Sequence, residues 1–297
     1  MKDGRISSSA NDKSILIYNK EMNDIQLSIK NLKSNVLNIM QSNEGYIFAS
    51  LDSGSILIFK LISSNSYQLI QDIKKGHDDR VTKIIQIKDG RFISCSNDKT
   101  IKIWKFLNEQ LILDKTLNEY KESGISSIIE FKENEIISTP YKLGSIVFWS
   151  LQESKIIEKI NNIKCDWDWN IIEKINEDTI IVGGRKSLYL IKNYKLVIDI
   201  NMDSNCYCIC YLSNGDILTG HYNGNIKEWK LINNELQFIG EKKVHDKLIS
   251  VIYEIKNNFL LSGSKIIMFI KLNIFKLIYL YNLNQNKKSP SIVYKIH

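Results

Sequence analysis

The sequence predicts an all-β protein that is built from seven copies of one four-stranded unit. Three observations lead to this prediction. A short motif recurs along the whole chain, each copy contains four strand-like segments that are separated by turn residues, and no segment has a capped helical stripe.

The repeat is clearest in two nine-residue stretches, NDKSILIYN at residues 11–19 and NDKTIKIWK at residues 97–105. The same pattern ends at an aromatic or isoleucine residue in five further places. These seven end positions, called anchors below, are separated by 41, 45, 45, 42, 38 and 41 residues, and they are Tyr18, Phe59, Trp104, Trp149, Ile191, Trp229 and Ile270. The spacing of 86 between the two stretches is therefore two periods.

The third copy shows the internal organisation of the repeat. VTKIIQIK (81–88) is apolar and β-branched, and RFISCS, TIKIWKF and LILDKTL follow it, with turns at Asp89-Gly90, residues 97–99 and Asn108-Glu109. Apolar runs between Gly, Asn and Asp turns are typical of short strands. Four strands repeated every 40–45 residues predict the blades of a β-propeller.

In this same copy the residues resemble the WD-repeat family, in which Gly-His precedes a pattern ending in Asp-x-Thr-Ile-Lys-Leu-Trp. Gly-His occurs at 76–77 and FISCSNDKTIKIW at 92–104. The resemblance implies a propeller that serves as an interaction platform. It also implies a buried polar network in which Asp98 orients His77, His77 reaches Ser94, and Ser94 meets the indole of Trp104.

The other copies depart from the family pattern. The sixth keeps Thr219 and Trp229 but has Asn223 at the Asp position, and the seventh keeps His245 and Ser262 without the Asp or the Trp. We therefore expect the fold to depend mainly on apolar packing between blades.

The two ends of the chain predict how the ring closes. The start, MKDGRIS, matches the middle of the third copy, so the first blade lacks its innermost strand. The last residues, SIVYKIH (291–297), align with SVIYEIK (250–256), the predicted innermost strand of the seventh blade. We therefore predict a single closed seven-bladed domain over residues 1–297, in which residues 291–297 pair with residues 5–9. The alternative is a fuller first blade upstream of Met1.

Composition limits the class of protein. The N-terminus has no secretory pattern, and the apolar run at 266–283 is interrupted by Lys271 and Lys276, which argues against a membrane helix. Five cysteines, an odd number, suggest a reducing compartment, so we expect a cytoplasmic protein, with the nucleus as the alternative. The net charge of +7 is scattered, as on a solvated surface; a nucleic-acid or phosphoinositide patch is the alternative.

The sequence contains no pattern that predicts catalysis, a metal site or a cofactor. Cys206, Cys208 and Cys210 are expected on one face of a strand, where neighbouring sulfurs are too far apart for one metal ion, so we interpret them as core residues. The histidines do not have metal-ligand spacing, and His221 is expected to face solvent or a partner. Nucleophile-elbow and phosphate-loop motifs are absent.

A candidate binding surface lies where the fourth blade crosses to the fifth, which in the family is the loop-rich top face. Tryptophan is enriched at binding hot spots, and the alternative is that one or both rings pack between blades. The predicted partner-contacting residues are Asp166, Trp167, Asp168, Trp169, His221 and Tyr222.

These observations favour a non-catalytic scaffold, a subunit of a larger complex, that binds a protein or peptide partner, preferably a basic one. An Arg side chain could stack on tryptophan while it pairs with aspartate. A propeller enzyme would need acids and histidines converging from several blades, which the sequence does not show. Phosphoinositide or nucleic-acid binding through a basic stripe is the other alternative.

Overall fold

A computed structural model describes residues 5–10, 13–19, 24–141, 144–161, 163, 171–255, 259–264, 267–273 and 276–283. The chain divides into two compact units, residues 1–159 and residues 160–297. Each unit consists of antiparallel β-sheets that are numbered here in chain order.

The first unit contains four sheets, and their strands follow one another in sequence order. The strands of sheet 1 are β1 (Ile6–Ala10), β2 (Ser14–Tyr18) and β3 (Ile25–Ile29). Those of sheet 2 are β4 (Val36–Gln41), β5 (Ile47–Leu51), β6 (Ile56–Ser63) and β7 (Ser66–Ile73). Those of sheet 3 are β8 (Val81–Gln86), β9 (Phe92–Ser96), β10 (Ile101–Leu107) and β11 (Gln110–Leu117). Those of sheet 4 are β12 (Ile125–Lys132), β13 (Glu135–Pro140), β14 (Ile146–Ser150) and β15 (Lys155–Ile160).

The second unit contains three sheets with the same strand order. The strands of sheet 5 are β16 (Ile171–Lys174), β17 (Thr179–Gly184), β18 (Ser187–Lys192) and β19 (Lys195–Asn201). Those of sheet 6 are β20 (Cys206–Tyr211), β21 (Asp216–His221), β22 (Asn225–Ile232) and β23 (Glu235–Lys243). Those of sheet 7 are β24 (Val251–Ile255), β25 (Phe259–Gly263), β26 (Ile267–Asn273) and β27 (Lys276–Leu283).

The all-β prediction is confirmed. The described ranges form seven sheets, six of four strands and one of three, and they contain no helix. Consequently no helix in these ranges could cross a membrane. The three-stranded sheet is sheet 1, which is the copy that the sequence predicted to start without its innermost strand.

A recurring β-bulge shows that the sequence anchors are structurally equivalent. In six sheets the pairing between the last two strands shifts register immediately before the anchor residue, for example between Ile103 and Trp104 and between Glu228 and Trp229. A bulge bends a strand and increases its local twist, so its recurrence gives the six sheets the same bend at the same position. Trp, Tyr, Phe and Ile therefore occupy one position of the repeat.

Apolar packing between consecutive sheets holds each unit together. Val81 and Ile84 of β8 are buried against Phe48 of sheet 2, whose ring stacks on Phe92 at a centroid distance of 4.4 Å. Each such large side chain contributes about 1.5–3 kcal/mol through burial. The innermost strand of each of these sheets thus covers one face of the sheet before it.

A hydrogen bond from a glutamate carboxylate connects consecutive sheets near the ends of the innermost strands in more than one place. The carboxylate of Glu254 in β24 accepts hydrogen bonds from the backbone N–H and the hydroxyl of Ser213, at 2.7 and 2.8 Å. Glu130 in β12 accepts from the N–H of Lys88 at 3.1 Å in the same way. These charge-assisted bonds fix the first turn of one sheet to the strand of the next sheet.

The tight turns explain why asparagine is frequent between the last two strands. Asn108 and Glu109 both have positive φ, 50° and 63°, and the pair Asn233-Asn234 repeats these values closely at 51° and 63°. Two consecutive residues with positive φ form a type I′ hairpin turn, in which asparagine is favoured. The sequence predicted the turn at Asn108-Glu109.

Residues 291–297 lie outside the described residues, so the closure of the ring by their pairing with residues 5–9 stays a prediction. The prediction of a single domain over residues 1–297 also stays a prediction.

Candidate functional site

Sheet 3 brings together the four residues of the predicted polar network. Trp104 Nε1 donates to Ser94 Oγ at 2.8 Å, Ser94 Oγ lies 2.7 Å from His77 Nε2, and His77 Nδ1 lies 2.8 Å from Asp98 Oδ2. Because tryptophan only donates and an ionised aspartate only accepts, a neutral His77 carries its proton on Nδ1 and accepts from Ser94. The chain of donors thus runs in one direction, from the indole to the carboxylate.

The electrostatics of this network match that proton arrangement. Burial lowers the pKa of His77, although Asp98 opposes the shift. Burial would raise the pKa of Asp98, but hydrogen bonds from His77 and Thr100 outweigh it and hold that pKa well below its usual range. At neutral pH the network therefore contains a neutral histidine and an ionised aspartate, both with their polar atoms satisfied.

The other sheets keep only parts of this network. In sheet 4, Trp149 Nε1 donates to Ser138 Oγ at 2.8 Å. In sheet 7, His245 Nε2 lies 2.8 Å from Ser262 Oγ, while the buried Nδ1 of His245 has no hydrogen-bond partner among the described residues. Sheets 4 and 7 thus form the same repeat unit as sheet 3 with only part of the polar network.

Sheet 6 rebuilds the network with His221, and this corrects the sequence prediction that His221 faces solvent or a partner. Its side chain is 0% exposed. Trp229 Nε1 donates to Thr219 Oγ1 at 3.0 Å, Thr219 Oγ1 lies 2.8 Å from His221 Nε2, and His221 Nδ1 lies 3.3 Å from the carbonyl oxygen of Ser204. His221 therefore replaces the histidine that the family places in the preceding loop.

A signal for this role is present in the sequence. Thr219 and His221 are two residues apart on β21, so they share a face of the strand. Thr219 also precedes Trp229 by ten residues, the same spacing as that between Ser94 and Trp104. The family pattern places the histidine in the loop before the sheet, so the pattern alone does not predict this arrangement.

The burial of His221 makes the stability of the protein depend on pH. Burial lowers its pKa to about 4 from an ordinary value near 6.5. Between these two values the unfolded chain binds the proton and the folded chain does not, so stability is lost as the pH falls from about 6.5 to about 4. We expect this one group to account for roughly 2–3 kcal/mol of that loss.

His221→Gln should flatten the pH dependence over this range, although its stability at pH 7 should be lower. Urea unfolding at several pH values between 7 and 4 measures the effect. Curves for wild type and His221→Gln that run parallel over that range would contradict it.

Tyr222, the next residue, is 60% exposed. Its ring centroid lies 6.0 Å from that of Tyr207, with an interplanar angle of 35°. Tyr222 is also fixed through its backbone, because its N–H donates to the carbonyl oxygen of Asn205 at 3.0 Å. Of the predicted partner-contacting residues, the structure thus exposes Tyr222 and buries His221.

Tyr207 owes its position to a bulge near the start of β20, between Cys206 and Cys208. Sheets 3 and 4 have the same bulge, where the extra residues are Thr82 and Ser126. Those two hydroxyls donate to backbone carbonyl oxygens, at 2.7 Å to Ile125 and 3.0 Å to Thr139. Sheet 6 therefore has an aromatic ring where sheets 3 and 4 have a hydroxyl group that binds the backbone.

The same bulge corrects the prediction that the three cysteines share one face. Cys206 pairs with His221 and Cys208 with Gly220, so the two thiols point to opposite faces of β20. Cys208 and Cys210 pack towards sheet 7, whereas Cys206 packs with Ile181 and Leu188 of sheet 5. All three are buried. In the described part of the chain, no group of His, Cys, Asp and Glu is arranged to hold a metal ion.

The predicted residues Asp166, Trp167, Asp168 and Trp169 lie outside the described residues. Their role in partner binding stays a prediction.

The described residues form seven antiparallel sheets whose strands follow one another in sequence order, six of four strands and one of three, and this arrangement is typical of β-propeller proteins. Residues 68–105 match the family model for the WD domain, G-beta repeat. The resemblance to the WD-repeat family is thereby confirmed over the copy that contains the anchor Trp104.

Solved structures with the same fold support this class. The structure of U3-55K matches with a TM-score of 0.75 and 18% identity, covering 88% of this chain and 85% of that one. The WD40 repeats of RRP9 match with a TM-score of 0.74 and 18% identity, covering 88% of this chain and 84% of that one. The sheets therefore have the fold of β-propeller blades.

A sequence relative is cilia- and flagella-associated protein 57 A of Tetrahymena thermophila, which is 25% identical over 142 residues. The match covers 40% of this chain and 11% of that longer protein. Propellers of the WD40 class are generally non-catalytic scaffolds for protein interactions.

Proposed function

We propose that this chain is a non-catalytic scaffold that binds a protein or peptide partner on the surface formed by Tyr207 and Tyr222. The observation that carries the proposal is the 60% exposure of Tyr222 beside a second tyrosine that a bulge positions. Bulges often reorient a side chain at a functional position. Tyrosine supplies a large contact area at a low entropic cost, and it is enriched at binding hot spots.

The support beneath this surface is rigid. His221 and Thr219 are buried in hydrogen bonds directly under the turn that carries Tyr222. The N–H of Asn223 also donates to Ser204 Oγ, at 3.4 Å. A ring on a fixed backbone loses less entropy on binding than one on a free loop. The polar network of sheet 6 therefore serves the binding surface by holding its turn in place.

Asp203, four residues before Tyr207 in the sequence, carries a charge that suits a basic side chain of the partner. The side chain of Asp203 is 60% exposed, and Lys227 Nζ contacts it at 2.5 Å and Glu241 at 3.4 Å. The hydrogen bond from Lys227 lowers the pKa of Asp203, so this carboxylate is ionised at neutral pH. We propose that an arginine of the partner stacks on a tyrosine ring and pairs with Asp203. Trp167 and Trp169 stay part of the proposed surface.

The scaffold role is preferred over binding of nucleic acid or phosphoinositide through the basic excess. Several lysines already contact carboxylates, including Lys60 with Glu109 at 2.6 Å and Lys105 with Asp114 at 2.8 Å. Positive charge that is interspersed with acidic groups does not form the basic stripe that phosphate binding needs.

Variants of the two tyrosines test the proposal. Tyr222→Ala and Tyr207→Ser should both lose the partners that co-purify with the wild-type protein from native cells, because each removes one of the two tyrosine rings on which the proposed surface is centred. Serine is the residue that sheet 4 has at the equivalent bulge, so Tyr207→Ser should keep the fold.

The matched control is Tyr67→Ala, which removes another exposed tyrosine, on the outer strand β7. It should retain all partners. The proposed surface is wrong if folded Tyr222→Ala and Tyr207→Ser variants recover the same partners in the same amounts as wild type and Tyr67→Ala.

A further inference from the structure

Lys227 on β22 is a buried lysine with two carboxylates in reach. Its side chain is only 10% exposed, and its Nζ lies 2.5 Å from Asp203 Oδ1 and 3.4 Å from Glu241 Oε2. The same Nζ lies 5.8 Å from the centroid of the Phe238 ring. Taking an ammonium group out of water is costly unless nearby anions compensate its charge. Lys227 therefore depends on these two acidic side chains.

The equivalent lysine of sheet 3 is held differently. Lys102 and Lys227 both stand two residues before a tryptophan anchor, and the other five copies have Leu, Val, Tyr or Met at that position. Lys102 Nζ donates to the carbonyl oxygen of Gly76 at 2.6 Å, and the residue opposite Lys102 on the outer strand is Thr116. The residue opposite Lys227 is Glu241. Sheet 6 thus offers its lysine a second acceptor at a place where sheet 3 has a threonine.

The two carboxylates around Lys227 differ in exposure and in what else they contact. Glu241 Oε2 also accepts a hydrogen bond from Asn225 Nδ2 at 3.3 Å. The N–H of Asn225 in turn donates to Asn223 Oδ1 at 3.1 Å, within the turn that carries the exposed tyrosine of the proposed surface. The side chain of Asp203 is the more exposed of the two, 60% against 41%. A cation that approaches from solvent therefore meets Asp203 more readily than Glu241.

The charge of the cluster suits one further cation. One ammonium group and two carboxylates leave one negative charge in excess, and a guanidinium group pairs well with an exposed carboxylate such as that of Asp203. The approaching guanidinium also brings a second positive charge close to Lys227. If Lys227 had no other acceptor, its buried charge would lose its compensation and binding would be weakened. Glu241 is already within ion-pair distance and can supply that compensation.

We propose that Glu241 takes over Lys227 when a guanidinium group of the partner pairs with Asp203. Lys227 Nζ then moves closer to Glu241 and away from Asp203, and no covalent bond changes. Glu241 is thereby a specificity-determining residue of the tyrosine surface, although it lies on the outer strand; this role rests on the proposed function. A neutral side chain of the partner leaves Lys227 on Asp203, so the surface distinguishes an arginine from a neutral residue.

Unfolding equilibria of the full chain test the exchange without any partner. Asp203→Asn removes the present acceptor of Lys227, and this variant and Glu241→Gln should each lose little stability because the other carboxylate remains. The double variant leaves the ammonium group unpaired, so its unfolding constant should rise about tenfold more than the product of the two single effects. In a Lys227→Met background this excess should vanish, since methionine needs no counter-ion. Single effects that simply multiply would overturn the exchange.

The preference for a guanidinium group is tested with N-acetyl-arginine amide, and N-acetyl-citrulline amide is the neutral control of the same shape. NMR of the full chain with ¹³C-labelled lysine follows the Cε signal of Lys227, which is assigned by its absence in Lys227→Met. The arginine amide should shift this signal and the citrulline amide should not. Glu241→Gln should reduce the shift per unit of added arginine amide about tenfold. Glu235→Gln, which removes an exposed glutamate of the same strand, should reduce it less than about twofold.

Equal responses to the two amides, or equal effects of Glu241→Gln and Glu235→Gln, would reject the proposal. Tyr222→Ala separates this result from the proposed function. If Tyr222→Ala retains all partners while the arginine response still depends on Glu241, the tyrosine surface is wrong and the exchange stands. If Tyr222→Ala loses the partners while the arginine amide leaves the Lys227 signal unmoved, the tyrosine surface stands and the exchange is wrong.

Discussion

Replacing Trp104 with alanine is expected to lower the free energy of unfolding by about 3–5 kcal/mol. Its indole is 3% exposed and packs in a cluster with Phe48 and Phe92. The substitution also removes the donor to Ser94 Oγ. Urea or thermal unfolding of the full chain measures the change.

Two comparisons separate the volume of Trp104 from its hydrogen bond. Trp104→Phe keeps most of the apolar contact but leaves Ser94 without its donor, so the loss should be about 1–3 kcal/mol. His77→Ala breaks the same network from the other side, and its loss should be of similar size. A Trp104→Ala loss no larger than that of an exposed residue such as Tyr67→Ala would show that the anchor does not stabilise sheet 3.

Gly224→Ala is expected to destabilise the second unit by roughly 3 kcal/mol or more, because two costs add. Gly224 has a φ of 80°, which L-residues avoid, and a Cβ there would clash with the carbonyl oxygen of His245. The Gly224 carbonyl oxygen also accepts hydrogen bonds from the N–H groups of Val244 and His245, at 2.9 and 3.1 Å, so the turn cannot move away easily.

Two glycines of the same chain serve as controls for Gly224→Ala. Gly45 has a φ of 93° with nothing within 4 Å of an added Cβ, so Gly45→Ala should show the backbone cost alone, about 1–2 kcal/mol. Gly240 is in a strand and is equally open, so Gly240→Ala should be close to neutral. Equal unfolding free energies for Gly224→Ala and Gly45→Ala would refute the predicted clash with His245.

The sequence predicted the repeat correctly because strands and turns have local chemical signatures. In the third copy, the apolar run that starts at Val81 and the turn at Asn108-Glu109 are visible without any knowledge of distant contacts. The bulges were not predictable in this way, since an extra unpaired residue such as Tyr207 changes neither composition nor period. For that reason the alternation rule placed Cys206 on the wrong face.

The candidate site was also only partly predictable from the sequence. The network of His77 was predictable because its residues stand at the family's spacings. His221 was predicted to be exposed because it stands beside the turn residues Tyr222 and Asn223, and the linear pattern does not show which side of a turn a side chain occupies. The exposure of Tyr222 next to Tyr207 depends on two strands meeting, which only the three-dimensional structure reveals.

Each compact unit contains a buried cysteine whose alkylation can report the unfolding of that unit. Burial raises the pKa of Cys95, in sheet 3, and of Cys206, in sheet 6, to about 12 in each case. Such thiols are protonated and inaccessible in the folded chain, so an alkylating reagent reaches them only after their strands separate. Residue-resolved alkylation kinetics would therefore time the unfolding of each unit separately, without a dye or a mutation.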